Sequence, residues 1–176
     1  WYLLAQNPEP LAKLHHELDT VLAGRDPSVE DLPKLDYFRR VIDESMRIYS
    51  PSYLVDRTPT QDWEAGDYIV PKGSYVFTSQ YILHRHPRYF PDPMRFDPDR
   101  WLPEEVAKRP RFCYFPFGGG QRGCVGELFA REEMTIILAI LLRSWSPELV
   151  PGQNIGTAPL ITLRPNGPIK IRLHAR

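Results

Sequence analysis

Two stretches in the first third of the chain place apolar side chains three and four residues apart, which is the spacing of one helix face. The first begins after Asn7 and ends at Gly24, residue types that favour the start and the end of a helix. The second runs from about Leu35 to Tyr49 and ends before Pro51. Between them, Ser28 to Asp31 has the pattern of a capping box for a short helix. The positions predicted to face the core are Leu11, Leu14, Leu18, Val21 and Leu22 in the first helix and Phe38, Val41, Ile42, Met46 and Tyr49 in the second.

Short stretches rich in β-branched and aromatic residues predict strands in the rest of the chain. They are Tyr53 to Thr58, Asp67 to Val70, Tyr75 to Gln80, Leu160 to Arg164 and Ile169 to His174. The last two are joined by Pro-Asn-Gly, which predicts that they pair as a hairpin. The almost wholly apolar run Met134 to Leu142 predicts a further helix that is buried and stiff, with Pro147 marking its end. Together these elements predict a mostly α-helical fold with small β-sheets (α+β).

Composition limits the functions that the chain can have. Lys and Arg together number 22, as do Asp and Glu, so the net charge is zero and nucleic acid is not an expected partner. Two cysteines are too few for a disulfide framework, which favours a reducing compartment: the cytoplasm or the cytoplasmic face of a membrane, with any anchor outside this chain. The opening WYLLAQNP lacks an initiator Met and has the apolar character of a buried helix end, which suggests a fragment.

The stretch from Phe115 to Ala130, FPFGGGQRGCVGELFA, carries the most distinctive chemistry. Glycines let the backbone take positive φ or lie close to a flat ligand, because they have no side chain. Cys124 lies where this loop becomes a helix, and the helix N-terminus and Arg122 both favour the thiolate, which binds soft metals and haem iron. A buried structural cysteine and a phosphate-binding loop are the simpler alternatives, although no Lys-Ser or Lys-Thr pair follows the glycines.

The same stretch matches F-x-x-G-x-R-x-C-x-G at every fixed position, through Phe117, Gly120, Arg122, Cys124 and Gly126. It resembles the cysteine-ligand loop of the cytochrome P-450 family, the haem-thiolate monooxygenases, in which thiolate ligation of haem is an established property of the family. The resemblance extends along the whole chain and covers less than half of a complete family member. It implies one partial domain, residues 1–176, which is the C-terminal portion of that fold on the proximal side of the haem.

Two further motifs gain their meaning from this resemblance. Glu44-Ser-Met-Arg47 lies on the second predicted helix, and Phe96-Asp-Pro-Asp-Arg100-Trp101 precedes the cysteine loop. Taken alone, charges three residues apart on a helix form a common and weak solvated pair. In the family an E-x-x-R helix and a later F-x-P-x-R segment lock together, so Glu44, Arg47 and Arg100 are implied to form a mutually hydrogen-bonded cluster that holds the cysteine loop against the haem. The alternative is three unrelated surface charges.

The resemblance also implies a cofactor and the residues that bind it. The cofactor is expected to be haem b (iron protoporphyrin IX), with Cys124 as the axial thiolate and metal ligand. Arg57 and Arg122 are expected to bind haem propionates, because a planar guanidinium suits a carboxylate, although Arg57 could be an ordinary exposed strand residue. The other positions implied to contact haem are Phe117, Gly118, Gly120 and Gly126. His84 and His86 lack the further ligands of a metal site, and His84 could instead reach a propionate or a turn.

The resemblance implies that the complete enzyme is a monooxygenase, which inserts one atom of O2 into a small apolar organic substrate. NAD(P)H electrons are expected through a redox partner, a separate or fused reductase or a ferredoxin, on the proximal face. The implied substrate pocket is lined by Ser52, Tyr53, Leu54, Val55, Pro159 and Leu160. We expect the 176 residues alone to be inactive or nearly so. The alternatives are a haem-binding or partner-binding module without catalysis, and a relative with isomerase or peroxygenase chemistry.

Overall fold

The computed structural model describes residues 1–176, with six α-helices, three short 3-10 helices and eight strands. The α-helices are α1 (Tyr2–Gln6), α2 (Pro8–Leu22), α3 (Asp36–Ile48), α4 (Gln80–Leu83), α5 (Pro103–Ala107) and α6 (Glu127–Ser144). The 3-10 helices span Val29–Lys34, Pro98–Trp101 and Gly120–Arg122. The strands are β1 (Val55–Arg57), β2 (Trp63–Ala65), β3 (Tyr68–Val70), β4 (Val76–Thr78), β5 (Trp145–Leu149), β6 (Thr157–Pro159), β7 (Leu163–Pro165) and β8 (Ile171–Ala175).

Each strand pairs with one other strand, so the structure has four small antiparallel sheets. The pairs are β1 with β4, β2 with β3, β5 with β8, and β6 with β7. In the first sheet Val55 lies opposite Thr78 and Arg57 lies opposite Val76. Helices dominate the rest of the chain, and the predicted class of a mostly α-helical fold with small β-sheets is therefore confirmed.

The hydrophobic core lies where α2, α3 and α6 meet. Leu14 and Leu18 of α2 and Phe38 of α3 are fully buried, as the helical spacing predicted, and α6 contributes Ala139 and Leu142. Burying a side chain such as Leu or Phe stabilises a fold by about 1.5–3 kcal/mol. The three-helix contact therefore anchors the helix that precedes β1 and the helix that follows Cys124.

The helix ends follow local sequence, with one exception. Ser28 and Asp31 form the predicted capping box, in which the Ser28 backbone N–H donates to the Asp31 carboxylate at 3.0 Å. α2 ends at Leu22, its C-cap Ala23 has left-handed backbone, and the predicted Gly24 follows with a φ of 84°. Asn7 is the N-cap residue of α2, as predicted, but its side chain makes no capping bond, and its amide donates to the Leu3 carbonyl at 2.7 Å instead.

The prediction that the apolar run of α6 is buried is wrong for most of its residues. Ala139 and Leu142 are buried, but Ile137, Ile140 and Leu141 are exposed. The neighbours of α6, chiefly α2, α3 and the first 3-10 helix, cover only part of its circumference, so the remaining apolar side chains meet solvent. None of the helices combines the length and the apolar character that a bilayer crossing requires.

The predicted pairing of the two tail segments is also wrong. β7 pairs with β6, and β8 pairs with β5. The Asn166 N–H donates to the Gly156 carbonyl at 3.0 Å, and the Asn166 Oδ1 accepts the Gly156 N–H at 2.9 Å. Asn166 thus extends the β6–β7 ladder and does not turn the chain back on itself. Pro147, expected at the end of α6, lies inside β5 opposite Leu173, because α6 already ends at Ser144.

Candidate functional site

Cys124 lies in a loop between the 3-10 helix Gly120–Arg122 and α6. Its backbone N–H donates to the Phe117 carbonyl at 2.9 Å, and the Gly118 N–H donates to the Phe115 carbonyl at 2.9 Å. These two bonds fold the loop back on itself and fix the backbone at Cys124. The Cys124 thiol is exposed, whereas Cys113 is the buried cysteine. Cys124 is therefore not a structural cysteine of the core.

The glycines before Cys124 suit the loop for two reasons, backbone conformation and the position of a neighbouring ring. Gly118 and Gly120 have φ angles of 77° and 67°, in the left-handed region that favours glycine. A Cβ at Gly119 would lie 2.7 Å from Cε1 of Phe112, closer than real Cβ atoms approach other heavy atoms. The loop therefore presents backbone without side chains just before the exposed thiol.

Glu44 and Arg47 form a fully buried ion pair on α3. Arg47 donates from Nε and from one terminal nitrogen to the two carboxylate oxygens of Glu44, each at 2.8 Å. Arg47 also donates to the His84 carbonyl at 2.9 Å. Such forked, charge-assisted contacts are short and directional. The pair therefore joins α3 to the end of α4 in one fixed geometry.

Arg100 lies beside this pair. The family resemblance implied a hydrogen bond between Arg100 and Glu44, and the structure does not have one. The Arg100 Nε lies 3.5 Å from a Glu44 carboxylate oxygen, while another Arg100 nitrogen donates to the Asp92 carbonyl at 2.9 Å. The Glu44 carboxylate also accepts hydrogen bonds from the Trp101 indole N–H and the Asp97 backbone N–H, both at 3.0 Å. The buried carboxylate thus pins the segment from Asp97 to Trp101 chiefly through these two donors.

His84 is fully buried and forms a link to the cysteine loop, not a metal site. Its Nε2 accepts the backbone N–H of Phe115 at 3.0 Å. Burial lowers the pKa of His84 to about 3, and the nearby charges of Arg47 and Arg85 act in the same direction. The imidazole is therefore neutral at physiological pH and available as an acceptor.

Arg57 and Arg122, the two arginines expected to bind carboxylates, are both exposed. Arg57 lies at the end of β1, where it donates to the carbonyl of its neighbour Asp56 at 2.7 Å. Arg122 ends the 3-10 helix just before Cys124. Neither guanidinium is ion-paired, so each is available to an anionic ligand.

The two segments expected to line a substrate pocket are hydrogen-bonded to each other. The Tyr53 hydroxyl donates to the Leu160 carbonyl at 2.8 Å, and the Leu163 N–H donates to the Pro51 carbonyl at 2.9 Å. Leu54 and Leu160 are exposed. A separate apolar cavity of about 320 Å³ lies between α1, α3, Met134 of α6 and the β6–β7 hairpin. It is lined neither by Cys124 nor by any of the six predicted pocket residues, so it is not the substrate site that the sequence implied.

A model of the cytochrome P450 family matches residues 1–173, which is nearly the whole chain. The chain belongs to the cytochrome P450 family. The resemblance carried by the Cys124 loop is thereby confirmed.

Individual P450 relatives agree with this assignment. The chain is 43% identical over 171 residues to cyclooctatin synthase from Streptomyces melanosporofaciens, covering 97% of this chain and 37% of that protein. It is 36% identical over 176 residues to pentalenene oxygenase from Streptomyces avermitilis, covering 100% of this chain and 39% of that protein. The chain therefore spans less than two-fifths of the length of these curated relatives.

Solved structures match the P450 fold over the same region. The structure resembles the crystal structure of the cytochrome P450DA heme domain with a TM-score of 0.93 and 31% sequence identity, covering 99% of this chain and 39% of that one. The small sheets and the helices around Cys124 are therefore those of a P450 haem domain.

The donor set at this P450 loop fits haem better than a bare metal ion. Nowhere in residues 1–176 do three or more His, Cys, Asp or Glu side chains converge as ligands. A single exposed thiol suits haem, because the porphyrin would supply the remaining nitrogen ligands of the iron and the protein need supply only the thiolate. The backbone of Gly118 to Gly120, free of side chains, suits the close approach of a flat macrocycle.

The roles of four residues around the P450 loop were not predicted from the sequence: Asp43, Trp101, Tyr114 and Arg131. Trp101 stands beside Arg100 in the motif already quoted, and Arg131 follows Glu127 by four residues, a spacing at which helical side chains pair. Asp43 and Tyr114 carried no local pattern, because their hydrogen bond joins positions 71 residues apart.

Proposed function

We propose that this chain supplies the cysteine ligand and the proximal side of the haem site in a P450 monooxygenase that inserts one atom of O2 into an apolar organic substrate. The observation that carries the proposal is the exposed Cys124 thiol in a loop whose backbone is fixed by its bond to Phe117. A thiolate is the protein ligand that favours O–O cleavage in this family. When bound, haem b supplies the activation of O2, which protein side chains do not perform.

In this proposal the residues of this chain hold and orient the haem. Cys124 binds the iron, and the Gly118–Gly120 backbone lies against the macrocycle. Arg57 and Arg122 bind the propionates, which is supported by their exposed and unpaired guanidinium groups. The cluster of Glu44 and Arg47 fixes the segment before the loop, so that the thiolate keeps its position.

An apolar substrate is supported by the composition of the six lining positions, which include Tyr53, Leu54 and Leu160. The bond between Tyr53 and Leu160 holds the two walls together. The similarity to a pentalenene oxygenase supports an oxygenase reaction on an organic substrate of this kind. Electrons from NAD(P)H arrive through a separate or fused reductase, or a ferredoxin, on the proximal face.

We further propose that residues 1–176 alone turn over substrate feebly or not at all. The chain spans 37% and 39% of two relatives, and the exposed side chains of α6 include Leu128 and Phe129, at 69% and 68% exposure. A pocket closed on one side only neither excludes water nor positions a substrate. Substrate-dependent, well-coupled oxygenation by these 176 residues would contradict this.

The test is the ferrous–CO spectrum of the haem-loaded protein in its longest native form. We expect the red-shifted band of thiolate ligation in the parent and its loss in Cys124→Ser. Cys113→Ser is the control, because it removes the other thiol and should leave the band unchanged. An unchanged band in Cys124→Ser would place the axial ligand elsewhere. A red-shifted band without substrate-dependent oxygenation would favour a haem-binding module without catalysis.

A further inference from the structure

A second ion pair ties α6 to α3, independently of the pair between Glu44 and Arg47. A terminal nitrogen of Arg131 lies 2.7 Å from Oδ1 of Asp43, whose side chain is 8% exposed. Arg131 also donates from Nε to Glu127, one turn earlier on α6, at 2.9 Å. Burial opposes the charge of Arg131, but Asp43 and Glu127 outweigh it and raise the pKa of the guanidinium above its usual value. Arg131 is therefore charged and held by carboxylates on two sides.

Tyr114 brings the segment before the cysteine loop into the same contact. Its hydroxyl lies 2.9 Å from Oδ1 of Asp43 and 3.0 Å from the Asp43 carbonyl. Burial, followed by the charge of Asp43, raises the pKa of Tyr114 well above its usual value, so the phenol remains a donor. Its ring lies 4.3 Å from the Trp101 ring and 4.9 Å from the His84 ring, measured between centroids. Tyr114 thus touches both the Glu44 cluster and the second ion pair.

Arg131 reaches the loop itself through an aromatic contact. Its guanidinium carbon lies 5.2 Å from the centroid of the Phe117 ring, within the range of a cation–π interaction. The carbonyl of the same Phe117 accepts the Cys124 N–H. Only one residue therefore separates the guanidinium from the backbone that carries the thiol.

We propose that Asp43, Tyr114 and Arg131, here called the Asp43 network, set the position of the Cys124 sulfur and are positioning residues of the haem site. The inference rests on the proposed function and deepens it, because it assigns the geometry of the thiolate to charges on α3 and α6. Asp43 anchors the network to the core helix, Tyr114 holds the start of the loop, and Arg131 holds Phe117. Loss of one member frees the loop while the glycine motif stays intact.

The test compares Arg131→Met with a matched control, Arg143→Met, in the haem-loaded protein in its longest native form. Both arginines lie on α6, are 26% and 25% exposed, and pair with an aspartate at 2.7 Å, but Arg143 lies at the opposite end from Cys124. Losing a hydrogen bond to a charged group corresponds to about a tenfold change in an equilibrium. We expect Arg131→Met to speed amide exchange at Cys124 about tenfold, and to speed conversion of the red-shifted ferrous–CO band to the unshifted form by a similar factor. Arg143→Met should change neither.

A second variant keeps the test decisive if Arg131→Met does not fold. Tyr114→Phe removes only the hydroxyl and should shift both readouts in the same direction, about threefold, because the ion pair remains. If the parent shows the red-shifted band but Arg131→Met behaves like Arg143→Met, the Asp43 network has no positioning role and the proposed function stands. Unchanged readouts in a folded Tyr114→Phe variant would overturn the role in the same way. A parent protein without the red-shifted band would contradict both the positioning role and the proposed function.

Discussion

The imidazole Nε2 of His84 accepts the backbone N–H of Phe115 at 3.0 Å, so α4 is bonded directly to the segment that enters the Cys124 loop. The bond needs a neutral imidazole, and burial lowers the pKa of His84 to about 3 in the folded protein. The unfolded chain, with a pKa near 6.5, therefore binds more protons than the folded chain between about pH 3 and pH 6.5. The contribution of His84 to stability is present above pH 6.5 and is lost as the pH falls through this window.

We expect this loss to reach about 2 kcal/mol between pH 7 and pH 5, since each pH unit inside the window corresponds to about 1.4 kcal/mol. His84→Gln keeps a side-chain acceptor but does not titrate, so its free energy of unfolding should fall less over the same interval. Urea unfolding of both proteins at the two pH values measures the difference, and all other titrating groups cancel in the comparison. Equal pH dependence in parent and variant would contradict the role of His84.

The buried pair of Glu44 and Arg47 predicts a large effect on stability. Arg47→Ala leaves the carboxylate buried without its partner, which typically costs about 3–5 kcal/mol. We expect a fall of that size in the free energy of unfolding and weaker haem retention, measured by urea unfolding and by haem release. Glu105→Gln is the control, because Glu105 pairs with Lys108 on the surface and such pairs contribute at most about 1 kcal/mol. Similar losses in the two variants would show that burial of the pair between Glu44 and Arg47 does not increase its effect on the free energy of unfolding.

The two glycines before the 3-10 turn predict two different kinds of damage. Gly118→Ala places a side chain at φ 77°, which costs about 1–2 kcal/mol through backbone strain. Gly119→Ala has extended backbone, and its Cβ would instead clash with Phe112 at 2.7 Å. We therefore expect the additional change Phe112→Ala to relieve Gly119→Ala but not Gly118→Ala, as measured by the free energy of unfolding in a double-mutant cycle. Rescue of both, or of neither, would contradict this distinction.

The sequence by itself determined the features that depend on near neighbours. The spacing of Leu14 and Leu18, and of Phe38 along α3, fixed which helix faces are buried, because one turn of helix brings these positions together. The capping box at Ser28 is equally local. The Cys124 motif identified the family, since its glycines, arginine and cysteine lie within a few residues of one another.

Only the tertiary structure decided which distant residues meet. The pairing of β7 with β6 and the partial exposure of α6 depend on how separate elements pack, so no local sequence pattern predicted them. The same holds for the choice of Trp101 and Asp97 as donors to Glu44. Asp43 and Arg131 are 88 residues apart, and the sequence alone does not show which charged residues will pair. Packing decides it, because it buries the Asp43 carboxylate beside the Arg131 guanidinium.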